Sequence, residues 1–182
     1  DPDPVKRYQQ AEQLADDLRR FVEDRPLKHA PERSLIIGTN KQTGLIVYSL
    51  QGEVVQTLAD GRMNNVDVVR ARTLSGEVDL VFASNRTTDR VAGYAIDPSS
   101  GQLSPLTPGG FDPALTEVYG LCAYADPRDH LARVVVNSKN GTLKILRVFQ
   151  AETGWQSVVE RTVLVGSQIE GCVVDVRRGW LY

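Results

Sequence analysis

Two patterns of apolar and polar positions divide the chain. Over residues 5 to about 24, Ala11, Leu14, Leu18 and Phe21 recur at three- and four-residue spacing among Gln, Glu, Asp and Arg, which predicts an amphipathic helix, and Pro26 stands just past its expected end. From Ser34 the text changes. Leu35-Ile36-Ile37, Leu45-Ile46-Val47-Tyr48, Leu80-Val81-Phe82, Val134-Val135-Val136 and Val163-Leu164-Val165 are short β-branched or aromatic runs. Between them lie turn signals: Gln51-Gly52, Pro98-Ser99-Ser100-Gly101, Asn140-Gly141 and Thr153-Gly154. The expected organisation is a helical or linker segment over 1–33 and an all-β body over 34–182.

The strand pattern repeats. A short apolar strand, a small polar pair and a cation, then a tight turn and a second apolar strand, occur three times. They read Gly38-Thr39-Asn40-Lys41 before Leu45, Ala83-Ser84-Asn85-Arg86 before Val91, and Val136-Asn137-Ser138-Lys139 before Leu143. The three cations are 45 and 53 residues apart. Periods of about 40 to 50 residues with about four strands each are the signature of propeller blades. A second series runs in step: Asn64-Asn65-Val66-Asp67-Val68, Val118-Tyr119-Gly120-Leu121-Cys122 and Ile169-Glu170-Gly171-Cys172-Val173 each open a strand after a polar loop, with residues 65, 119 and 170 in matching positions. About three blades are expected.

Composition adds limits. The 182 residues are 41% hydrophobic and 24% charged, with 21 Lys+Arg against 23 Asp+Glu, as in an ordinary globular domain. No stretch approaches the roughly 20 apolar residues of a membrane helix, and the N-terminus does not read as a signal peptide. A net charge of −2 supplies no global field for nucleic acid, so an anionic partner must be held by locally focused cations. Cys122 and Cys172 are not in metal-binding spacing. The favoured reading is two small buried apolar thiols, and a bridge between neighbouring strands is the other.

In a propeller, equivalent positions of successive blades point at one end of one channel. Lys41, Arg86 and Lys139 would converge there, and three like charges together call for an anion. Arg offers a planar fork to phosphate oxygens and Lys a compact charge, a combination suited to several phosphates on a small ligand. Tyr119 and Glu170 fall at the same mouth, where a carboxylate among phosphate-binding cations makes sense as a ligand for a hard metal such as Ca²⁺. Against this, strand-end cations are usually solvated. Asn40, Asn85 and Asn140 are ordinary turn residues, Asp67 can be a loop cap, and His29 and His130 lack a second ligand nearby.

Taken in order and spacing, Ser34 to Lys41, Gly61 to Val68, Ala83 to Arg86, Tyr119 to Cys122 and Gly166 to Cys172 resemble the β-propeller phytases. The resemblance runs from about Pro31 to Tyr182. It implies a six-bladed propeller and a calcium-dependent, 3-phytase-type phosphatase that removes phosphate from phytate (myo-inositol hexakisphosphate), usually in a secreted or periplasmic protein. Carried over by motif, it implies that Lys41, Arg86 and Lys139 bind substrate phosphate and that Tyr119 and Glu170 are catalytic residues at the metal cluster. Glu170 would help hold bridging calcium, and the backbone near Val66 would contribute to a structural calcium site. Direct attack by a calcium-bound water, without a covalent enzyme intermediate, is the implied mechanism.

The sequence departs from the family in two ways. An opening DDPAIW-like strand is replaced by Asp1-Pro2-Asp3-Pro4-Val5 and the helical segment. The family fold is also about twice as long, so the chain is expected to hold about three of six blades, with open sheet flanks that invite self-association. Two function classes are therefore carried forward: a phytate phosphatase, and a non-catalytic half-propeller that binds phosphorylated ligand or calcium through the same cations. Two copies closing a ring is a further possibility.

Overall fold

The computed structural model describes Arg20 and residues 34–182. Apart from Arg20, whose backbone is helical, the segment expected to form the N-terminal helix lies outside the described residues. Within them the protein is built of antiparallel sheets whose strands follow one another in chain order. The first comprises β1 (Leu35–Asn40), β2 (Gly44–Ser49) and β3 (Val54–Leu58). The second holds β4 (Met63–Thr73), β5 (Gly76–Asn85), β6 (Arg90–Ile96) and β7 (Leu103–Pro105). The third holds β8 (Val118–Ala125), β9 (Ala132–Ser138), β10 (Thr142–Ala151) and β11 (Gly154–Leu164), and a short pair, β12 (Val174–Asp175) and β13 (Trp180–Leu181), follows. Up-and-down sheets of this size are the blades of a partial propeller, as the repeat predicts.

The apolar runs are explained by where the sheets meet. On β5, Leu80 and Phe82 point into a core shared with Val118, Leu121, Val134 and Val136 of the third sheet. The alternate residues Val81 and Ala83 point into a second core with Leu45 and Val47 of the first sheet. A strand buried on both faces reads as an unbroken apolar run, because side chains alternate between faces. β9 repeats the arrangement, with Val134 and Val136 facing the second sheet and Val135 joining Cys122, Leu143 and Ile169 on the other side. Each fully buried Val, Leu or Phe is worth about 1.5–3 kcal/mol, so the inter-sheet cores hold the blades together.

The run Val163-Leu164-Val165 ends the outer strand β11, where Leu164 is 79% exposed. Two expectations need correction. Residues 169–173 do not open a strand. The ladder there starts only at Val174↔Leu181, extended by the reciprocal hydrogen bonds of Val173 and Tyr182. Finally, Cys122 and Cys172 are not free thiols but a disulfide, with their Cα atoms 5.5 Å apart. Cys122 is buried on β8 and Cys172 belongs to the next repeat. Corresponding stretches of neighbouring repeats lie side by side, which makes residues 50 apart in sequence neighbours in space.

At the other end of the third sheet, Arg133 is buried and donates to Asp129 at 2.8 Å and Glu160 at 2.7 Å. Nearby, Asp126 is also buried and accepts from Arg128. The Arg128 hydrogen bonds hold the Asp126 carboxyl well below the ordinary carboxylate range against the upward push of burial. A depressed folded-state pKa gives stability that is fully present above the unfolded value of about 4 and is lost as pH falls below it. The melting temperature should therefore drop between pH 4 and 2. Asp126→Asn should cost about 1–3 kcal/mol at pH 7 and flatten that acid limb; an unchanged limb would remove Asp126 from the account.

Candidate phosphate-binding site

The cations stand where the hairpin turns begin. β1 pairs with β2 up to Asn40↔Gly44, and β5 with β6 up to Asn85↔Arg90. Lys41, Arg86 and Lys139 each follow directly on the last residue of β1, β5 and β9. The asparagines build the turns, as expected for Asx-turn residues. Asn40 Oδ1 accepts from Gln42 N and Thr43 N, Asn85 Oδ1 from Thr87 N, and Asn140 Oδ1 from Thr142 N. His130 has a left-handed backbone (φ 60°), and its carbonyl accepts from Arg72 N; His29 lies outside the described residues.

Two matching irregularities shape the mouth. β4 pairs with β5 at Met63↔Asn85 and resumes at Val66↔Ala83, so Asn64 and Asn65 bulge out of the ladder. β8 pairs with β9 at Val118↔Ser138 and resumes at Leu121↔Val136, so Tyr119 and Gly120 do the same. This register equates Tyr119 with Asn64, one residue away from the Asn65 that the repeat in sequence assigns to it. The bulges orphan backbone groups, and side chains of the neighbouring strand take them up. Asn65 N donates to Ser84 Oγ at 3.0 Å and Gly120 N to Asn137 Oδ1 at 3.0 Å. Asp67, read from sequence as a loop cap, instead links the sheets by accepting from Ala123 N at 2.8 Å.

The Tyr119 bulge brings its ring within reach of two cations. The Arg86 guanidinium carbon lies 5.1 Å from the ring centroid and Lys139 Nζ 5.7 Å, both within cation–π range. All three side chains are half-buried. Lys139 also lies 3.7 Å from Glu117, but both groups are substantially exposed, and such a pair is worth about 0–1 kcal/mol, which leaves the ammonium available to an anion. Glu170 arrives through its backbone: its carbonyl oxygen would be 2.4 Å from a Cβ placed on Gly120. Its carboxylate is exposed and accepts from Gln168 Nε2. Lys41 occupies the equivalent turn of the first sheet and is exposed. Arg86, Lys139, Tyr119 and the Glu170 backbone are thus brought together, and Lys41 is placed by register.

The fit to calcium is partial. Calcium takes about six to eight oxygens. Asn64 Oδ1 is buried without a hydrogen-bond partner among the described residues, and Glu170 supplies a carboxylate. Yet no three His, Cys, Asp or Glu side chains group to hold an ion among the described residues. The Val66 side chain packs against the second core, which leaves its backbone alone for a metal role. Among the described residues these side chains bring two cations and an aromatic ring to one mouth and do not by themselves make up a calcium cage. Sequence reasoning missed Asn64, Ser84, Asn137 and Gly120; the only signal was the small polar residue two places ahead of each cation.

A family model for phytase matches residues 3–182. A 3-phytase from Bacillus subtilis (strain 168) is 33% identical over 186 residues, taking in 99% of this chain and 47% of that protein. The chain therefore spans about half the length of this curated relative. Repeat and comparison agree, and the chain belongs to the phytase family.

Proposed function

We propose that this chain carries the phosphate-binding side of a phosphatase site acting on phytate. The observation that supports it is the pair Arg86 and Lys139 beside Tyr119 at one mouth, with Lys41 in the same turn position. A phosphomonoester entering there meets a guanidinium fork and an ammonium, which neutralise its oxygens on binding and as negative charge redistributes during P–O cleavage. Tyr119 is the common neighbour of the two cations.

Calcium is proposed as the cofactor, with Glu170 and Asn64 Oδ1 as this chain's oxygen contribution, and no step is assigned to it. A secreted or periplasmic location is proposed on the family resemblance and on the disulfide, which belongs to oxidising compartments. One observation favours the second reading, a non-catalytic binder of phosphorylated ligand: no carboxylate cluster that could hold an ion occurs among the described residues.

Phosphate release from phytate, measured with millimolar calcium and again with excess chelator, separates the two. Release abolished by chelator is the expected result; no release from folded protein that still binds phytate establishes the binder. In either case Arg86→Ala and Lys139→Ala should each weaken phytate binding about 10-fold, as charge-assisted hydrogen bonds of about 1.5–3 kcal/mol imply. Calorimetry showing unchanged affinity in both variants would refute the site.

A further inference from the structure

The side chain two residues ahead of each of the first two cations reaches across to the next sheet. Thr39 Oγ1 donates to the Asn64 carbonyl at 3.0 Å, and Ser84 Oγ donates to the Tyr119 carbonyl at 2.7 Å. Asn64 and Tyr119 are the equivalent first residues of the two bulges, so one contact occurs twice at one repeat position. The third member of the series is Asn137, and the residue matching Tyr119 in the next repeat is Glu170. Asn137 is fully buried, its Oδ1 is taken by Gly120 N, and its Nδ2 has no hydrogen-bond partner among the described residues. A buried amide donor left unpaired costs about 1–3 kcal/mol, so it calls for an acceptor. Asn137 Nδ2 and the Glu170 carbonyl oxygen lie 2.5 and 2.4 Å from the single point where a Gly120 Cβ would stand, so both border the same small space.

We propose that Thr39, Ser84 and Asn137 are positioning residues, each holding the carbonyl of the bulge-position residue of the following repeat (Asn64, Tyr119 and Glu170), with the third bond running from Asn137 Nδ2 to the Glu170 carbonyl. The inference rests on the phosphate-site reading for its functional meaning. Ser84 lies two residues from Arg86, so its bond to the Tyr119 carbonyl sets the offset at which the guanidinium meets the ring. Asn137 lies two residues from Lys139, and its bond gives Lys139 and Glu170 the same offset. The relay thereby fixes the spacing of the charged groups from one blade to the next.

The repeat supplies its own exchange test, run on the full oxidised chain. Ser84→Thr installs the residue of the first sheet and Asn137→Ser that of the second, and each keeps a hydroxyl that can donate. Ser84→Ala and Asn137→Leu remove the donor together with the acceptor that takes up the bulge N–H. The dissociation constant for phytate should rise about 10-fold or more in the latter two and stay within about 3-fold in the former two, since each lost hydrogen bond of about 1.4 kcal/mol is tenfold. A packing role alone reverses the order at 137, because Leu fills the site of Asn better than Ser does, and that order would overturn the proposal. A second measurement needs neither variants nor ligand: a scalar coupling across the hydrogen bond between Asn137 ¹⁵Nδ2 and the Glu170 carbonyl ¹³C. Its presence supports the relay, and its absence overturns it. An unmodified chain that shows the coupling but does not bind phytate refutes the phosphate-site reading and leaves the relay standing.

Discussion

Gly120→Ala is expected to abolish most phytate binding while touching none of the charged groups. A Cβ at this position would stand 2.4 Å from the Glu170 carbonyl oxygen and 2.5 Å from Asn137 Nδ2, far inside any van der Waals contact. Neither neighbour yields easily. Glu170 lies two residues from Cys172, which is bonded to Cys122 on β8, and Asn137 is fully buried and holds Gly120 N. Overpacking of this kind costs about 1–3 kcal/mol and moves backbone. The backbone that moves here is the bulge that carries Tyr119. Gly171→Ala is the matched control: a Cβ there meets only Asn65 Nδ2, at 3.9 Å, an ordinary contact. We expect phytate affinity to fall at least 10-fold in G120A, about 1.4 kcal/mol, and to hold in G171A. Equal affinities in the two variants would show that close packing of Gly120 against Glu170 does not shape the site.

The contrast between these two glycines marks what was legible in the sequence. Gly120 and Gly171 occupy the same place in the repeat, and no residue beside them in sequence marks which one is tightly packed. The apolar runs of β5 and β9 were readable because burial on both faces forces continuous hydrophobicity, as Leu80 to Ala83 and Val134 to Val136 show. The turns were readable because Asn and Gly at Asn140-Gly141 have a local reason to be there. The cations could be aligned because a turn fixes their spacing to the strand end. The bulges could not, because leaving the ladder for two residues carries no compositional mark: Asn64-Asn65 and Tyr119-Gly120 share no residue type. That is why the sequence comparison paired Tyr119 with Asn65 and the register pairs it with Asn64. Burial was not legible at Val163-Leu164, since an apolar run at the exposed end of the outer strand β11 looks the same as one in a core.

Removing the disulfide is expected to release the Glu170 segment before the rest of the protein. Little else ties residues 166–173 down: most are exposed, and β12 and β13 pair over only Val174↔Leu181 and Asp175↔Trp180. Closing a loop of 50 residues stabilises by about 4 kcal/mol on the chain-entropy account, and measured values commonly fall lower. In the Cys122→Ser, Cys172→Ser double variant, part of that loss should be local. Exchange of the Val173 amide, which donates to Tyr182 O, should accelerate at least 10-fold, equivalent to about 1.4 kcal/mol of opening free energy. The amide of Val135, buried at the centre of β9, should accelerate less. Reductant should reproduce the effect in the unmodified chain and do nothing further to the variant. Because the Glu170 backbone abuts Gly120 beside Tyr119, phytate affinity should weaken with the loosened segment, as in G120A and for the same geometric reason. Uniform acceleration at Val173 and Val135 would instead mean that the bond acts on the unfolded chain alone and has no local part in holding Glu170 at the mouth.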